Sequence, residues 1–316
     1  MRENGKWIHI VEAGLAVTVL LLAAVMLRQK NGEDQKKVAV IMENSDGNHW
    51  AAFRYGLKMA AQDEGVELFI VSTGDTMTQE EEMEAIQQEL DNGADAVIVQ
   101  PVAGDSLGQE LTKLEKKSSM MLVGSDLTID PGTEALPCVQ PDHAAMGRAL
   151  AKEVLSDYRG DLSGKTVGIV RKAHGIQAMD SRLAGVEEGL ENTGASIEWI
   201  ISGALKNEPR VDLVLALDDS SLIAAGECAA ANDLHGALVY GIGNSTEAAY
   251  GLDTGTVECL IVPDTFSEGY WSLVQIAESI KHPFRKRNSR TVPYTVLRRE
   301  ELFTKENQEI LFTMSQ

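Results

Sequence analysis

The sequence predicts an α/β chain with two parallel sheets, each covered by helices on both faces. Three observations carry this. Short apolar runs alternate with helical stretches along nearly the whole chain from Val38 onward. The runs are uniformly apolar, as in VAVI at 38–41, AVIV at 96–99 and LVLAL at 213–217, which fits strands buried on both faces. The alternation comes in two series that divide near residue 141, so the 316 residues hold two such lobes.

Each element has a local reason. The run from Val38 ends in a polar loop, 45–48, and a helix then starts near His49. In it Trp50, Phe53, Leu57, Ala60 and Ala61 fall at helical spacing until Gly65 ends it. Residues 66–71 read as a strand. The next helix opens near Thr76, has Glu80, Glu81 and Glu82 in its first turn where the dipole favours acids, and stops at Asn92-Gly93. A strand at 96–100, a helix at 105–117, a strand at 120–124 and a short extended piece at 136–139 complete the series.

Asp142 then caps a helix over 144–155. The second series has strands at 165–170, 197–201, 211–217, 237–242 and 257–262, with helices at 180–191, 221–232, 246–252 and 266–280. A final strand spans 291–297. One link is short: only residues 202–210 separate two strands, whereas a parallel crossover usually needs a dozen or more. Either a connecting helix has been lost and the sheet adjusted, or one strand is misassigned.

Composition narrows the function. Lys and Arg number 28 against 48 Asp and Glu, a net charge of −20 with pI ≈ 4.7. Such a surface repels phosphate backbones, and 5% aromatics give no stacking platform, so no nucleic-acid partner is expected. Cys138, Cys228 and Cys259 are scattered, without disulfide or metal spacing, and read as buried free thiols. No HExxH, Walker loop, nucleophile elbow or His/Cys cluster is present, so neither an enzyme, a metal nor a cofactor is expected. Gly241-Ile-Gly243 lacks the third glycine of a dinucleotide fingerprint.

The N-terminus points to a membrane. Residues 13–27 carry no charge, and extending back to Ile8 gives twenty residues interrupted only by His9 and Glu12. That length spans a bilayer core. No small-x-small cleavage site follows and no nearby cysteine can take a lipid, so residues 1–37 are expected to form an uncleaved signal anchor and linker. A raw count of flanking Lys and Arg would put the C-terminal side in the cytoplasm. The extracytoplasmic expectation rests instead on the domain that follows. Residues 1–37 hold six basic and four acidic side chains, so the acidity belongs to that domain.

Several motifs carry a resemblance. They are VAVIMENSDGNHWAAFRYGLK, GADAVIVQP, MMLVGSD, QPDHAAMGRALA, MDSRLAGVEEGL, VDLVLALDDSSLIAAG and GIGNSTEAAYGLDTGTVECLIVPDTFSEGY. On these, residues 38 to about 312 resemble the type I periplasmic sugar-binding proteins of the ribose-binding kind. The resemblance implies two Rossmann-like lobes joined by three hinge crossings near 140–142, 262–264 and 291–293. Lobe one would be 38–140 with 265–290, and lobe two 141–262 with 292–316. Ligand would lie in the cleft at the C-terminal ends of the strands and be trapped by closure.

A sugar needs carboxylates, amides and an arginine fork for its hydroxyls and an aromatic for its ring face. Glu43, Asn44, Asp46, Asn48, His49 and Trp50 follow the first strand, and Trp50 stands where the family often has an aromatic. Asp126 matches a family ligand aspartate and Arg182 the second-lobe arginine. Asp218 stands where many relatives have Asn, while Asp219 reads as the cap of the helix at Ser221. The stretch after 237–242 lacks the family's aspartate, leaving Asn244, and Pro263 replaces a glutamine. The implied partner is an ABC permease, or a sensor kinase that reads ligand state. The run 281–299, with seven Lys and Arg and no acid, reads either as a solvated face or as a docking patch.

Overall fold

The computed structural model describes residues 35–74, 76–102, 106–115, 118–125, 127, 135–172, 176–206, 208–282 and 287–314. The expected membrane span falls outside these residues. Among the described residues no helix is long and apolar enough to cross a membrane.

The first lobe takes five strands from the first half of the chain: β1 (Lys37–Ile41), β2 (Glu67–Ile70), β3 (Ala96–Val99), β4 (Ser119–Val123) and β5 (Cys138–Pro141). Between them lie α1 (Ala51–Glu64), entered through a 3-10 turn at Asn48–Trp50, α2 (Gln79–Asp91) and α3 (Leu107–Glu115). The second lobe runs α4 (His143–Asp157), β6 (Thr166–Arg171), α5 (Gln177–Leu190), β7 (Ser196–Ser202), β8 (Leu213–Ala216), α6 (Asp219–Ala230), β9 (Leu238–Ile242), α7 (Thr246–Thr254) and β10 (Cys259–Pro263). The chain returns with α8 (Thr265–Lys281) and β11 (Arg290–Val292), then β12 (Tyr294–Arg298) and α9 (Lys305–Met314).

Two six-stranded sheets result, in the orders β11-β5-β4-β3-β1-β2 and β12-β10-β9-β8-β6-β7. Every pairing is parallel except β10 with β12. The uniform apolarity of the strands follows from this arrangement. Ala96 and Ile98 pack with Phe53 and Leu57 of α1 and Leu273 of α8, while Val97 and Val99 face Ile86 of α2 and Leu107 of α3.

Helix ends follow their side chains. Thr78 forms a reciprocal capping box with Glu81, Asp142 accepts from Ala145 N, and Gly65 ends α1 at φ 66°. In each lobe one helix pair meets glycine on backbone. A methyl group at Gly56 or Gly269 would lie 2.2 Å from the carbonyl oxygen of Phe266 or Phe53, and at Gly147 or Gly185 2.1 Å from that of Arg182 or Ala144.

The short link is a genuine crossover without a helix among its described residues. β6 lies between β7 and β8, and residues 203–212 pass over it. Trp199 takes the place of the missing cover. The β6–β7 register shifts between Val167 and Gly168, and the indole lies so close over Gly168 that a methyl there would meet Trp199 Cζ2 at 2.0 Å. Trp199 Nε1 donates to Pro209 O at 2.9 Å, tying the link down. Gly168→Ala is expected to displace the indole and cost about 1–3 kcal/mol. Urea midpoints and a red shift in tryptophan emission check this.

The expected final strand is two strands in two sheets. Pro293, with no N–H to donate, sits where the chain leaves β11 for β12. Pro293 O accepts from Asp264 N at 3.0 Å, so two of the crossings between lobes are bonded to each other. Nothing in the sequence pattern suggested α9. Its Ile310 packs on the second lobe's core, and Glu306 and Ile310 share a groove with Ala52 of α1 and Phe266 of α8. Several side chains of the basic run are tied to the fold, although Lys281, Arg290 and Arg299 are exposed. Arg287 donates to Met120 O and pairs with Glu115 at 2.5 Å, Arg290 lies 3.5 Å over the Trp271 ring, and Arg298 pairs with Glu153 and Asp157.

Candidate functional site

A cavity of about 330 Å³ lies between the two sheets at the C-terminal ends of their strands. Loops after β1, β3 and β4 and the start of α8 line it from lobe one. Loops after β6, β8 and β9 and the starts of α4 and α5 close it from lobe two.

Several bonds join the lobes around it. Lys172, after β6, pairs with Glu43, after β1. Asn244, after β9, donates from Nδ2 to His49 O at 2.6 Å and to Thr265 Oγ1 at 3.2 Å. Ala178 N, in the first turn of α5, donates to Ser125 Oγ at 3.2 Å. The lobes are therefore closed on each other.

Arg182 and His143 form the centre of the second-lobe wall. Arg182 Nε donates to His143 Nδ1 at 3.2 Å and an Arg182 NH donates to Leu217 O at 2.6 Å. A guanidinium has no acceptor, so His143 Nδ1 must be unprotonated and Nε2 carries the hydrogen that reaches Gly124 O at 2.9 Å. Burial, with the Arg182 charge alongside, pushes His143 down to about 3. It stays a neutral spacer that aims the arginine. Burial also pulls Arg182 down to about 10, opposed by Asp218, Glu268 and Asp219.

Opposite stands Glu268 on α8, only 3% exposed. Among the described residues its Oε1 has no hydrogen-bond partner, and burial pushes the carboxyl up to about 8. Gln100 Oε1 is likewise buried without a partner. Trp50 forms part of the same wall. Its Nε1 donates to Glu43 O at 3.2 Å, and its ring packs edge-on to Phe53.

Two sheets closed over a cleft are a recurrent binding architecture, and the comparisons name this instance of it. Residues 38–282 match the family model described as "Periplasmic binding protein domain". The chain belongs to that family. Among solved structures, GanP, a glucose-galactose binding protein from Geobacillus stearothermophilus, is similar at 16% identity and TM-score 0.75, covering 86% of this chain and 100% of its own. A carbohydrate transporter solute binding protein from Agrobacterium radiobacter, in complex with D-arabinose, matches at 14% identity and TM-score 0.76, covering 89% and 100%. The XylFII–LytSN complex contains a chain matching at 14% identity and TM-score 0.72, covering 84% and 98%. No curated protein sequence matches the chain. At these identities the structural likeness fixes the periplasmic binding protein fold.

Of the residues singled out in sequence, His49, Trp50, Arg182, Asp218 and Asn244 line the cavity of this periplasmic binding protein domain. Asp46 and Asn48 do not, because the loop turns them outward: both are exposed, and Asp46 accepts from Ser72 Oγ at 3.2 Å. Asp126 lies outside the described residues. Both aspartates line the cavity, and the cap of the helix is Asp218 rather than Asp219. Asp218 caps α6, accepting from Ser221 N and Oγ and from Lys172 N at 2.7–3.0 Å. Its extended backbone places it three residues before Ser221 N, as a cap requires. Asp219, beside it on the cavity wall, accepts from Asn244 N and Ser245 N. Asn244 faces the cleft as a tether between lobes, its amide donors spent on His49 and Thr265. Glu43, Gln100, His143, Lys172 and Glu268 were not picked out as ligand residues, apart from Glu43's place in the first loop.

Buried ionisable groups give the fold a pH signature. His143 protonates near 6.5 unfolded but about 3 folded, so its contribution is whole above 6.5 and is lost as pH falls. Glu82, fully buried on α2, and Glu268 ionise near 4.5 unfolded but about 8 folded. Their contribution is whole below 4.5 and is lost as pH climbs through 8. From these three groups stability peaks near pH 4.5 and declines toward 8. Glu82→Gln is expected to flatten that decline, read as urea midpoints across the range.

Proposed function

We propose that the chain is an extracytoplasmic solute-binding protein that closes over a sugar or related polyol and passes it, chemically unchanged, to an ABC importer. One observation carries this reading: a cavity shared by both lobes in which buried acceptors on Glu268 and Gln100 have no partner among the described residues, beside the Arg182 guanidinium and the Trp50 ring. A polyhydroxylated ring supplies the missing donors, lone pairs for the guanidinium and an apolar face for the indole. The relatives named for glucose-galactose binding and for a D-arabinose complex support the ligand class. Placement outside the membrane rests on the kind of domain that follows the apolar stretch 8–27, which is read as an anchor.

A ligand that binds only the folded protein raises its stability by mass action, about 2.7 kcal/mol at a hundredfold over Kd. A thermal-shift screen of monosaccharides against the full chain tests the reading. Stabilisation by at least one, recovered unaltered by chromatography, supports it. No shift with any, or a transformed compound, refutes it.

A second reading is a sugar sensor that reports to a kinase or other membrane partner. The likeness to a chain in the XylFII–LytSN complex, a binding protein fold held by another protein, favours it. Affinity capture of the full-length chain from membranes separates the two: a permease subunit supports import, a sensor protein supports reporting.

A further inference from the structure

We propose that the ligand of the inter-lobe cavity carries a basic nitrogen, as an amino sugar or aminopolyol does, and that Glu268 and Gln100 receive it. This rests on the cavity being the ligand site and narrows what occupies it.

The charges in the cavity do not balance. Among the described residues four acidic side chains line it, Glu43, Asp218, Asp219 and a Glu268 that burial holds largely protonated at pH 7, against two fixed cations, Lys172 and Arg182. Burial holds His49 and His143 below the ordinary histidine value, so neither adds charge at neutral pH. The anions differ in what they already hold. Glu43 has Lys172, Asp218 has three donors from Ser221 and Lys172, and Asp219 has two backbone amides. The bonds of Arg182 go to neutral acceptors, His143 and Leu217. Glu268 has only the Gly124 amide beside it, and its Oε1 accepts no hydrogen bond among the described residues.

Gln100 points the same way. Its Oε1 is also without a partner, and both side chains flank Gly124, where a methyl would lie 3.6 Å from Gln100 Cγ and 3.6 Å from Glu268 Oε1. Two acceptors unmet among the described residues thus belong to side chains on either side of Gly124. A primary ammonium brings three N–H donors there and a compensating charge, whereas a hydroxyl brings one donor and none. A ligand carboxylate or phosphate at that point would meet two acceptors and a surplus of negative charge. The charged neighbours that act on Glu268 are Arg182 from α5 and Asp264 at the start of its own helix. An ammonium beside it favours the ionised form, and the displaced proton passes to the buffer.

The test is calorimetry on the full chain at pH 7 with D-glucosamine, D-galactosamine and D-mannosamine, each against its parent sugar and its N-acetyl form. At least one amine is expected to bind about tenfold tighter than both controls. Glu268→Gln, close in size, is expected to bring the amine and its parent sugar to the same affinity, whatever the variant does to sugar binding itself. Parent sugars that bind as tightly as their amines overturn the proposal and leave the sugar-binding reading standing. A preference that survives in Glu268→Gln overturns the role of Glu268. If no compound of either kind binds, both readings fall. The wild-type comparison decides the matter even if the variant does not fold.

Discussion

Arg182→Ala is expected to abolish ligand-induced stabilisation, with affinity lower by about two orders of magnitude. The side chain does three things at once. It donates to His143 Nδ1, it donates to Leu217 O, and its charge faces Asp218, Asp219 and Glu268. Truncation leaves two acceptors at the cavity wall without donors and removes one of its two fixed cations. The folded protein should lose about 1–3 kcal/mol, short of unfolding, because Glu268 can stay protonated. Arg182→Lys keeps the charge but cannot make both bonds, and it should recover stability better than affinity. Thermal shift with whichever sugar stabilises the wild type reads the first effect, and urea midpoints the second. An unchanged ligand shift in Arg182→Ala would mean that ligand binds elsewhere.

Gly147→Val is expected to cost about 3 kcal/mol or more, lowering the melting temperature by about 10 °C. The new Cβ would lie 2.1 Å from Arg182 O and 2.9 Å from Val186 N. Both are backbone, so no rotamer change relieves the clash and α4 must part from α5. The carbonyl that is struck belongs to Arg182 itself, so binding should weaken with stability. Gly226→Ala is the control. It sits in α6 with its nearest neighbour 3.7 Å away, and alanine should gain up to about 1 kcal/mol in helix propensity. Differential scanning calorimetry of the pair checks both signs.

Most of the fold was legible because these strands are buried on both faces and many helices carry their own stops and caps. Gly65 and Asp142 are such marks, and the structure uses them as read. Local signals failed where a tertiary partner decided the outcome. Nothing within residues 196–213 says that an indole can replace a helix. That follows only from Gly168 on the neighbouring strand. Pro293 was readable as a break, yet not as a change of sheet.

The site was half legible for a similar reason. Arg182, Trp50, His49, Asp218 and Asn244 sit at strand ends or on recognisable motifs. Glu268 does not: it lies within α8, and a helical glutamate reads as solvated. One signal was available. Gly269 beside it touches Phe53 O so closely that a methyl would lie 2.2 Å away, so that turn of α8 has to be interior. His143 was hidden by its neighbour, since Asp142 already explained the start of α4.

The order in which the chain is threaded bears on when it can fold. Cys138 N donates to Ser289 Oγ across 151 positions, β11 completes the edge beside β5, and α8 packs on α1. The second sheet likewise waits for β12. A chain emerging N-terminus first therefore cannot finish either lobe until almost its last residues are free. Its folding should be slow and late for the same topological cause.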